Sequence, residues 1–260
     1  MPSFSHQGTL MNSIDPALSA GARQSYEQST ASAWGTTAPA EFDAGLRSFM
    51  LGIHNRMAGG LALTGIVAYA AAATGFYAQV AATPLIWLVM LAPFGMALLL
   101  GFRIQKMSHG AASAAFWTYA GLMGLSLAGI FLVYTGVSVA RVFFITAGTF
   151  AAMSFYGYST QRDLSRIGSF LVMGLIGVVL ASVVNLFIGS TALTFAISVL
   201  GVLVFTGLTA WDTQRIKQMY AETAGTDAQG RSAILGALML YMDFVNLFIS
   251  VLQLTGNRRG

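Results

Sequence analysis

Seven long apolar segments constrain this chain more than any other feature of its sequence. They fall at roughly 57–80, 84–102, 111–135, 138–158, 167–189, 191–211 and 233–254, numbered here as spans one to seven. Each is close to the ~20 residues that a helix needs to cross a hydrocarbon layer ~30 Å thick. Because lipid offers no hydrogen-bond partners, each span is expected to be a helix, whereas a β-barrel would show alternating stretches of about ten residues. The sequence therefore predicts an all-α membrane protein, a single bundle of seven transmembrane helices.

Composition excludes several classes of protein and of site. Only 8% of the residues are charged, against about 25% in a soluble domain. Cysteine is absent, which excludes disulfides, thiolate metal sites and cysteine nucleophiles. The histidines His6, His54 and His109 lie outside the apolar segments, so we expect no imidazole in the membrane interior. The lysines, Lys106 and Lys217, lie between segments and leave no buried amine for a retinal Schiff base. We expect neither a cofactor nor an enzymatic activity.

The first part of the chain differs in composition from the rest. Residues 1–46 are rich in Ser, Ala, Gly, Thr and Gln, and they contain no basic cluster followed by a hydrophobic stretch. This composition is typical of a disordered tail rather than of a signal peptide. The sequence therefore predicts a disordered tail at 1–46 and a membrane domain at 47–260.

Basic residues alternate between the connections. The connections after spans one, three and five carry no charge, whereas the others carry Arg47, Arg56, Arg103, Lys106, Arg162, Arg166, Arg215, Lys217 and Arg231. By the positive-inside rule these nine lie in the cytoplasm together with the N-terminus, and the C-terminus lies outside. Arg258 and Arg259 disagree, as if span seven entered the membrane and returned, and Arg141 is the third basic residue on the outer side. Nine basic residues on one side against three on the other favour seven full spans. The net charge of +4 therefore indicates topology rather than nucleic-acid binding.

Pairs of small residues at i, i+4 mark candidate points of close helix contact. They are Gly124/Ala128, Gly148/Ala152 and Gly177/Ala181. Small side chains let helix backbones approach closely in membranes. For any one pair, the abundance of Gly and Ala in membrane helices is an equally good explanation.

One carboxylate lies deep inside span seven. Asp243 is ten residues past Ala233, which places it ~15 Å into a layer ~30 Å thick. An Asp at that depth costs roughly 2.5–3.5 kcal/mol on insertion scales, and such residues usually face a bundle interior with a partner. One reading is a protonated Asp that bonds a neighbouring helix as structural glue, and the other is a functional group. Tyr241 and Asn246 make one face of the same helix polar.

Few residues are available as its partner. Asp212 closes span six, which is expected to run antiparallel to span seven, so the two carboxyl groups meet if Asp212 is drawn inward. Repulsion and desolvation would then prevent both from ionising, and a shared proton would make a pH-sensitive lock. Asp163, between Arg162 and Arg166, is expected to cap span five or pair within its loop.

Other polar residues near the spans are candidates for supporting roles. Arg103 and Arg56, at helix ends, are cations that either answer the carboxyl pair or extend to the headgroups. Asn185 and Asn246 each sit in the motif "VNLFI", at 184–188 and 245–249, and are candidates for a hydrogen bond between spans five and seven.

The sequence resembles the Bax inhibitor-1 family in its bacterial branch. The resemblance covers about residues 45 to 260 and is carried by "HNRMAGGLALTGIVAY", "FYGYSTQRDLSRIGSFLVMGLIGVVLASVVNLFI", "WDTQRIKQMY" and "GALMLYMDFVNLFISVLQLTGNRRG". It implies seven helices with the seventh central, and a pH-dependent calcium leak through a bacterial inner membrane. The family's acidic pair falls on Asp212 and Asp243, and the basic residue that latches the pair falls on Arg103.

Three classes of function remain at this point. A calcium channel or leak would use Asp212 and Asp243 as transient oxygen ligands, since a stable calcium site takes six to eight oxygens. A regulator of membrane-protein partners, such as a protease or a stress factor, would need no pore. An intramembrane aspartyl protease would use the same two carboxyl groups, but "LYMD" lacks the Gly-x-Gly-Asp motif. We expect lipid and calcium ions as partners and no nucleic acid; the oligomeric state stays open.

Overall fold

A computed structural model describes residues 16–259, with side chains from Phe42 onward. The chain divides between Ser48 and Phe49 into two units, and the contacts described below all belong to the second. The predicted tail, 1–46, lies partly outside the described residues, which exclude 1–15. The first helix begins at Pro16 and continues through the rest of that segment, so no helix boundary falls at residue 46.

The described part of the chain is built from helices, with one isolated β-bridge. The helices are α1 (Pro16–Ala73), α2 (Phe76–Ala81), α3 (Leu85–Arg103), α4 (His109–Leu127), α5 (Ile130–Val133), α6 (Gly136–Ser159), α7 (Ser165–Ile188), α8 (Thr191–Thr223) and α9 (Gln229–Thr255), and a 3₁₀ turn (Ile104–Lys106) follows α3. Seven helical segments in this part are long and apolar enough to cross a membrane. The predicted all-α membrane bundle with seven spans is confirmed.

Span one begins and ends earlier than predicted, since the segment long and apolar enough to cross a membrane is Phe42–Ala73. The apolar segment 57–80 suggests one helix, but α1 ends at Ala73 and the short α2 begins at Phe76. Between them Gly75 has φ 74°, a left-handed conformation that glycine adopts without steric cost and that ends a helix.

Span six is longer than predicted. The prediction ended it at residue 211 with Asp212 as the closing residue, but α8 continues to Thr223. Asp212 therefore lies inside the helix, and Arg215 and Lys217 lie on it rather than in a loop. Hydropathy marks where a helix leaves the apolar layer, whereas the helix itself ends only where its hydrogen-bond ladder stops.

The seventh span is the central element. In the membrane-spanning window of α9, 67% of the residues are buried, whereas none is buried in that of α7. α9 packs against α4, α6 and α8. α1 also reaches it, because Gly60 leaves room for the Tyr241 ring and Ile53 contacts the backbone at Gly236. The predicted central position of span seven is thus confirmed.

The outer surface of the bundle is apolar. Val137, Phe102 and Phe187 are 83%, 82% and 87% exposed, and much of α3 and α7 is exposed in the same way. Soluble monomers rarely expose contiguous apolar patches above a few hundred Å². A hydrocarbon environment accounts for this surface, because lipid tails solvate such side chains without cost.

The C-terminus is fixed to the beginning of α6. The Thr135 N–H donates to the carbonyl oxygen of Asn257 at 3.1 Å, and the Arg259 N–H donates to that of Val133 at 2.8 Å. α9 is continuous over 27 residues, so it runs from one end of the bundle to the other. This geometry favours a full crossing over a segment that enters the membrane and returns.

Candidate functional site

α8 and α9 form the scaffold of the candidate site. They run antiparallel, and the Ser198 hydroxyl donates to Oε1 of Gln253 at 2.7 Å. Gly201 contributes close packing, since a Cβ there would clash with the Ser250 side chain. Tight packing along this pair of helices leaves the polar groups between them out of contact with lipid.

Asp212 and Asp243 lie together between these two helices. Their side chains are only 8% and 5% exposed, and their carboxyl groups interact directly with each other. An ionised carboxylate only accepts hydrogen bonds, so a hydrogen bond between the two requires a proton on one of them. The structure thus brings together the two carboxyl groups that the sequence nominated.

The carboxyl pair retains unused acceptor capacity. Oδ1 of Asp212 and Oδ2 of Asp243 are buried without a hydrogen-bond partner in the described part of the chain. Buried polar atoms without partners are rare in folded proteins and mark either strain or a site for a further ligand. Arg215 is the nearby cation: it interacts electrostatically with Asp212, and its guanidinium carbon lies 5.5 Å from the centre of the Trp211 ring.

A histidine that the sequence analysis set aside lies beside this site. His54 lies on Phe42–Ala73, a helical segment long and apolar enough to cross a membrane, while the absence of imidazole from the membrane interior stays a prediction. Its Nδ1 donates to the Met50 carbonyl oxygen at 2.8 Å, and Nε2 lies 3.1 Å from the Ser154 hydroxyl. The Thr213 hydroxyl lies 3.1 Å from the same oxygen. This chain of polar groups joins α1, α6 and α8 at the residue that follows Asp212.

The sequence contained only a weak indication that His54 lies on a buried helix face. It lies three residues before the apolar segment that starts at 57, next to Ile53, which is fully buried. Extending the helical period backwards through Ile53 and Met57 places a buried face there. A span defined by hydropathy begins only after the polar residues that precede position 57. The earlier part of α1, which contains His54, was therefore missed.

Asn185 and Asn246 do not bond to each other. The Asn185 amide donates to the Thr194 hydroxyl at 2.7 Å and accepts from the Ser190 N–H at 3.0 Å, which fixes the turn between α7 and α8. The Asn246 amide donates to the Met242 carbonyl oxygen of its own helix at 2.8 Å. The proposed bond between spans five and seven is wrong, because the Asn185 amide bonds across the turn to the start of α8 and the Asn246 amide bonds within its own helix.

Asp163 acts at a helix start rather than in the carboxyl pair. Its Oδ1 accepts from the Ser165 N–H at 2.9 Å, where α7 begins. Hydrogen bonds from the Ser165 side chain and backbone, together with Arg166, hold the pKa of the Asp163 carboxyl below its usual range. It therefore stays ionised at neutral pH, as the sequence reading of a cap expected.

Arg103 does not contact the carboxyl pair. It is the last residue of α3, its side chain is exposed, and within the described part of the chain it forms no hydrogen bond or ion pair. The 3₁₀ turn that follows it, Ile104–Lys106, packs against α9. Arg103 is thus placed one short turn away from the central helix.

The described residues hold no cluster built for a resident metal ion. No three His, Asp or Glu side chains of this part converge as a metal group would require. A calcium ion takes six to eight oxygens when it is held stably. Two unpartnered carboxyl oxygens suit a passing cation better than a stored one.

Comparison with known proteins finds relatives along most of the chain. The profile of the family described as Inhibitor of apoptosis-promoting Bax1 matches residues 46–260. An uncharacterised protein of Rickettsia prowazekii is 48% identical over 220 residues, which are 84% of this chain and 93% of the relative. The inner membrane protein YbhL of Escherichia coli strain K12 is 45% identical over 220 residues, which are 83% and 94%. A protein of Caulobacter vibrioides is 45% identical over 228 residues, which are 84% and 91%. The matched segment contains both members of the carboxyl pair.

Proposed function

Because the chain belongs to the Bax inhibitor-1 family, we propose that it is a pH-sensitive calcium leak pathway of a bacterial inner membrane, closed by Asp212 and Asp243. The observation that carries this proposal is the direct interaction of two buried carboxyl groups. One of them lies on the central helix and the other on its antiparallel neighbour. A change in their protonation therefore acts directly on the tightest helix contact of the bundle.

Magnitudes support a pH-driven separation of the helices. With one proton between them, the carboxyl groups attract; without it, two like charges face each other in a medium of low dielectric constant. At ~4 Å and an effective dielectric constant of ~20 their repulsion is about 4 kcal/mol. An interhelical hydrogen bond in a membrane protein contributes on average only about 0.6 kcal/mol. Loss of the shared proton thus replaces an attraction by a repulsion several times larger than the contribution of one interhelical hydrogen bond.

The unpartnered oxygens supply the chemistry for calcium. Oδ1 of Asp212 and Oδ2 of Asp243 have no partner in the described part of the chain, and ionised carboxylates are hard oxygen ligands that Ca²⁺ prefers. Two residues cannot complete its coordination shell, so water and backbone carbonyls supply the rest. Weak, incomplete coordination favours conduction, because a conducted ion has to leave its site again.

The test is calcium flux in liposomes that contain the purified protein, measured against pH. Asp212→Asn and Asp243→Asn keep shape and hydrogen bonding but remove the titration, so each is expected to flatten the pH dependence of flux. The double variant is expected to add little to either single change, because the pair titrates as a unit. Asp163→Asn is the matched control, since that carboxyl lies in an exposed helix cap.

The contrary results are well separated. A full pH response in either single Asn variant, at normal expression, would make the carboxyl pair a structural contact only. Unchanged flux in Asp243→Ala combined with lost binding of a membrane-protein partner would instead identify a regulator without a pore.

A further inference from the structure

A cavity of about 280 Å³ opens on the side of the bundle between α1, α5, α6 and α9. Its largest lining side chains are Phe131, Phe143, Phe144, Phe244 and Phe248. Phe144 is 73% exposed and Phe143 is 39% exposed. The mouth therefore faces the lipid around the apolar bundle surface.

The polar group in the cavity wall is already bonded. Of the described residues that line the cavity, Thr64 alone has a polar side chain. Its hydroxyl lies 2.9 Å and 2.8 Å from the carbonyl oxygens of Gly60 and Ala120, and 2.6 Å from the Tyr241 hydroxyl. An occupant gains no hydrogen bond here, so its buried part has to be apolar.

The length of the cavity matches one leaflet of a bilayer. It follows α6 from Gly136 to Phe144, a rise of ~12 Å at 1.5 Å per residue. Half of a hydrocarbon layer ~30 Å thick is ~15 Å. The cavity starts at the end of α6 where the C-terminus is fixed, so its length and position suit an acyl chain that enters from that surface.

Three arginines lie at the same end of the bundle. Arg258 and Arg259 follow α9, and Arg141 lies on α6; all three are exposed. The Asn257 N–H donates to the Ser138 hydroxyl at 2.9 Å, which holds the C-terminal segment against α6. Arg141 is one helical turn further along, ~4.5 Å from Ser138. Its neighbour in the chain, Ala140, lines the cavity.

No Asp or Glu of the described second unit lies at this cationic end. In the described second unit the acidic residues are Asp163, Asp212, Glu222, Asp227 and Asp243. Asp212 and Asp243 are in the buried carboxyl pair, and the other three lie in or beside the connections at the opposite end of α6 and α8. An anion from outside the protein is therefore the group that complements the three arginines.

We infer that this end of the protein binds an anionic phospholipid, with one acyl chain in the cavity and the phosphate group against Arg141, Arg258 and Arg259. The inference goes beyond the proposed calcium pathway and does not depend on it. It also explains why three cations lie on the side where the positive-inside rule expects few. A helix of a second protein is about 10 Å wide, too wide for a cavity of this size, whereas a single acyl chain is flexible and narrow.

Native mass spectrometry of the full chain in a neutral detergent tests the inference. The probes are dioleoyl phosphatidylglycerol, dioleoyl phosphatidylcholine and inorganic phosphate. We expect one phosphatidylglycerol to be retained per protein, phosphatidylcholine to be retained less, and phosphate not to compete. Replacing Arg141, Arg258 and Arg259 by Gln is expected to weaken retention by about fivefold for each arginine.

A second variant addresses the acyl chain separately. Gly65 lines the cavity, and a Cβ at this position meets no atom within 4 Å, so Gly65→Phe begins from open space and is designed to fill the cavity. It is expected to reduce retention of both lipids while the arginines stay in place. The matched controls are Gly148→Phe, whose Cβ also has open space but lies away from the cavity, and Arg162→Gln at the opposite end of α6.

Three results would overturn the inference. Equal retention of the two lipids by the parent protein would remove the role of the arginines. Displacement of lipid by inorganic phosphate would indicate an anion site without an acyl chain. A dimer that is lost in Gly65→Phe, with lipid retention unchanged, would mean that a second copy of the chain covers the cavity.

Discussion

At the residue scale, buried polar groups of the bundle differ in whether their bonding is complete. The Thr64 hydroxyl has three oxygen neighbours within 2.9 Å, and His54 uses both of its ring nitrogens. Asp212 and Asp243 each keep one buried oxygen without a partner. Polar groups whose hydrogen bonds are all formed stabilise a single packing of the helices. Polar groups with an unused acceptor oxygen can still bind a proton or a cation. Other described residues also hold a buried polar atom without a hydrogen-bond partner, namely Thr146, Thr206 and Arg231. The candidate site is therefore distinguished by two incomplete groups that interact with each other.

Arg103 provides a prediction about the closed state. The 3₁₀ turn beside it packs against α9, and in the family resemblance its position is that of the latch. Arg103→Ala is therefore expected to raise basal calcium flux in liposomes, because the family resemblance implies that a basic residue at this position latches the closed state. Arg162→Ala, which removes an exposed cation from another connection, is the control. Flux equal to that of the parent at every pH would leave Arg103 as a residue that extends to the headgroups.

Gly157 provides a prediction about packing. A Cβ there would clash with the backbone carbonyl of Ala210, so α6 and α8 touch at this point, whereas a Cβ at Gly148 meets nothing within 4 Å. Gly157→Ala is expected to lower the free energy of unfolding by about 1–3 kcal/mol through overpacking. Gly148→Ala on the same helix is expected to be neutral or stabilising, since Ala is the better helix former. Denaturant unfolding in detergent checks both, and equal stability of the two variants would contradict the close contact.

At the element scale, the end of α8 beyond Asp212 holds the loop between α6 and α7. The Gln214 amide accepts from the Leu164 N–H and donates to the Arg162 carbonyl oxygen, both at 2.8 Å. Lys217 donates to the Tyr158 carbonyl oxygen at 2.5 Å. This end of α8 thus ties the loop to the helix that carries Asp212, so a displacement of α8 also moves the loop.

Gln214→Ala tests this connection. It removes both hydrogen bonds to the loop, so backbone amides at 160–165 are expected to exchange hydrogen faster, because their local opening free energy falls. Gln218→Ala makes the same chemical change at an exposed position of the same helix and is expected to leave exchange unaltered. Hydrogen–deuterium exchange read by mass spectrometry distinguishes the two. If loop exchange in Gln214→Ala matched that of the parent, the loop would be held by other contacts.

At the scale of the whole molecule, charge is distributed unevenly between the two ends. The ends of α3, α6 and α8 and the start of α9 carry most of the basic side chains, whereas the opposite end carries Arg141, Arg258 and Arg259. The positive-inside rule assigns the first group to the cytoplasm. An anionic lipid bound at the opposite end would balance the charge of Arg141, Arg258 and Arg259, which the rule does not account for.

The orientation of the protein follows as a prediction. A reporter fused after Gly260 is expected to read as extracytoplasmic, because seven crossings from a cytoplasmic N-terminus end outside. An identical reporter fused after Ser108, in the connection before α4, is expected to read as cytoplasmic and serves as the internal control. A cytoplasmic signal from both fusions would contradict the charge argument.

Sequence alone determined the number of spans and nominated the carboxyl pair. Both follow from a strong local rule: a helix that crosses lipid needs about 20 apolar residues, and an Asp within it is too costly to be incidental. The central position of span seven came instead from the family resemblance, which the motif of that span helps to carry.

Tertiary structure decided where helices end and which polar groups meet. Gly75 ends α1 inside an apolar run, and α8 continues past Asp212 although its residues become polar. His54 contacts Ser154, which lies 100 positions away in the sequence. Asn185 forms its hydrogen bonds at the turn between α7 and α8 instead of with α9. Hydropathy measures the free energy of transferring each side chain into lipid. Apolar residues follow one another along a span, so this quantity can be read locally from the sequence. A hydrogen bond across helices depends on register and rotation, and packing sets these only once the whole bundle is assembled.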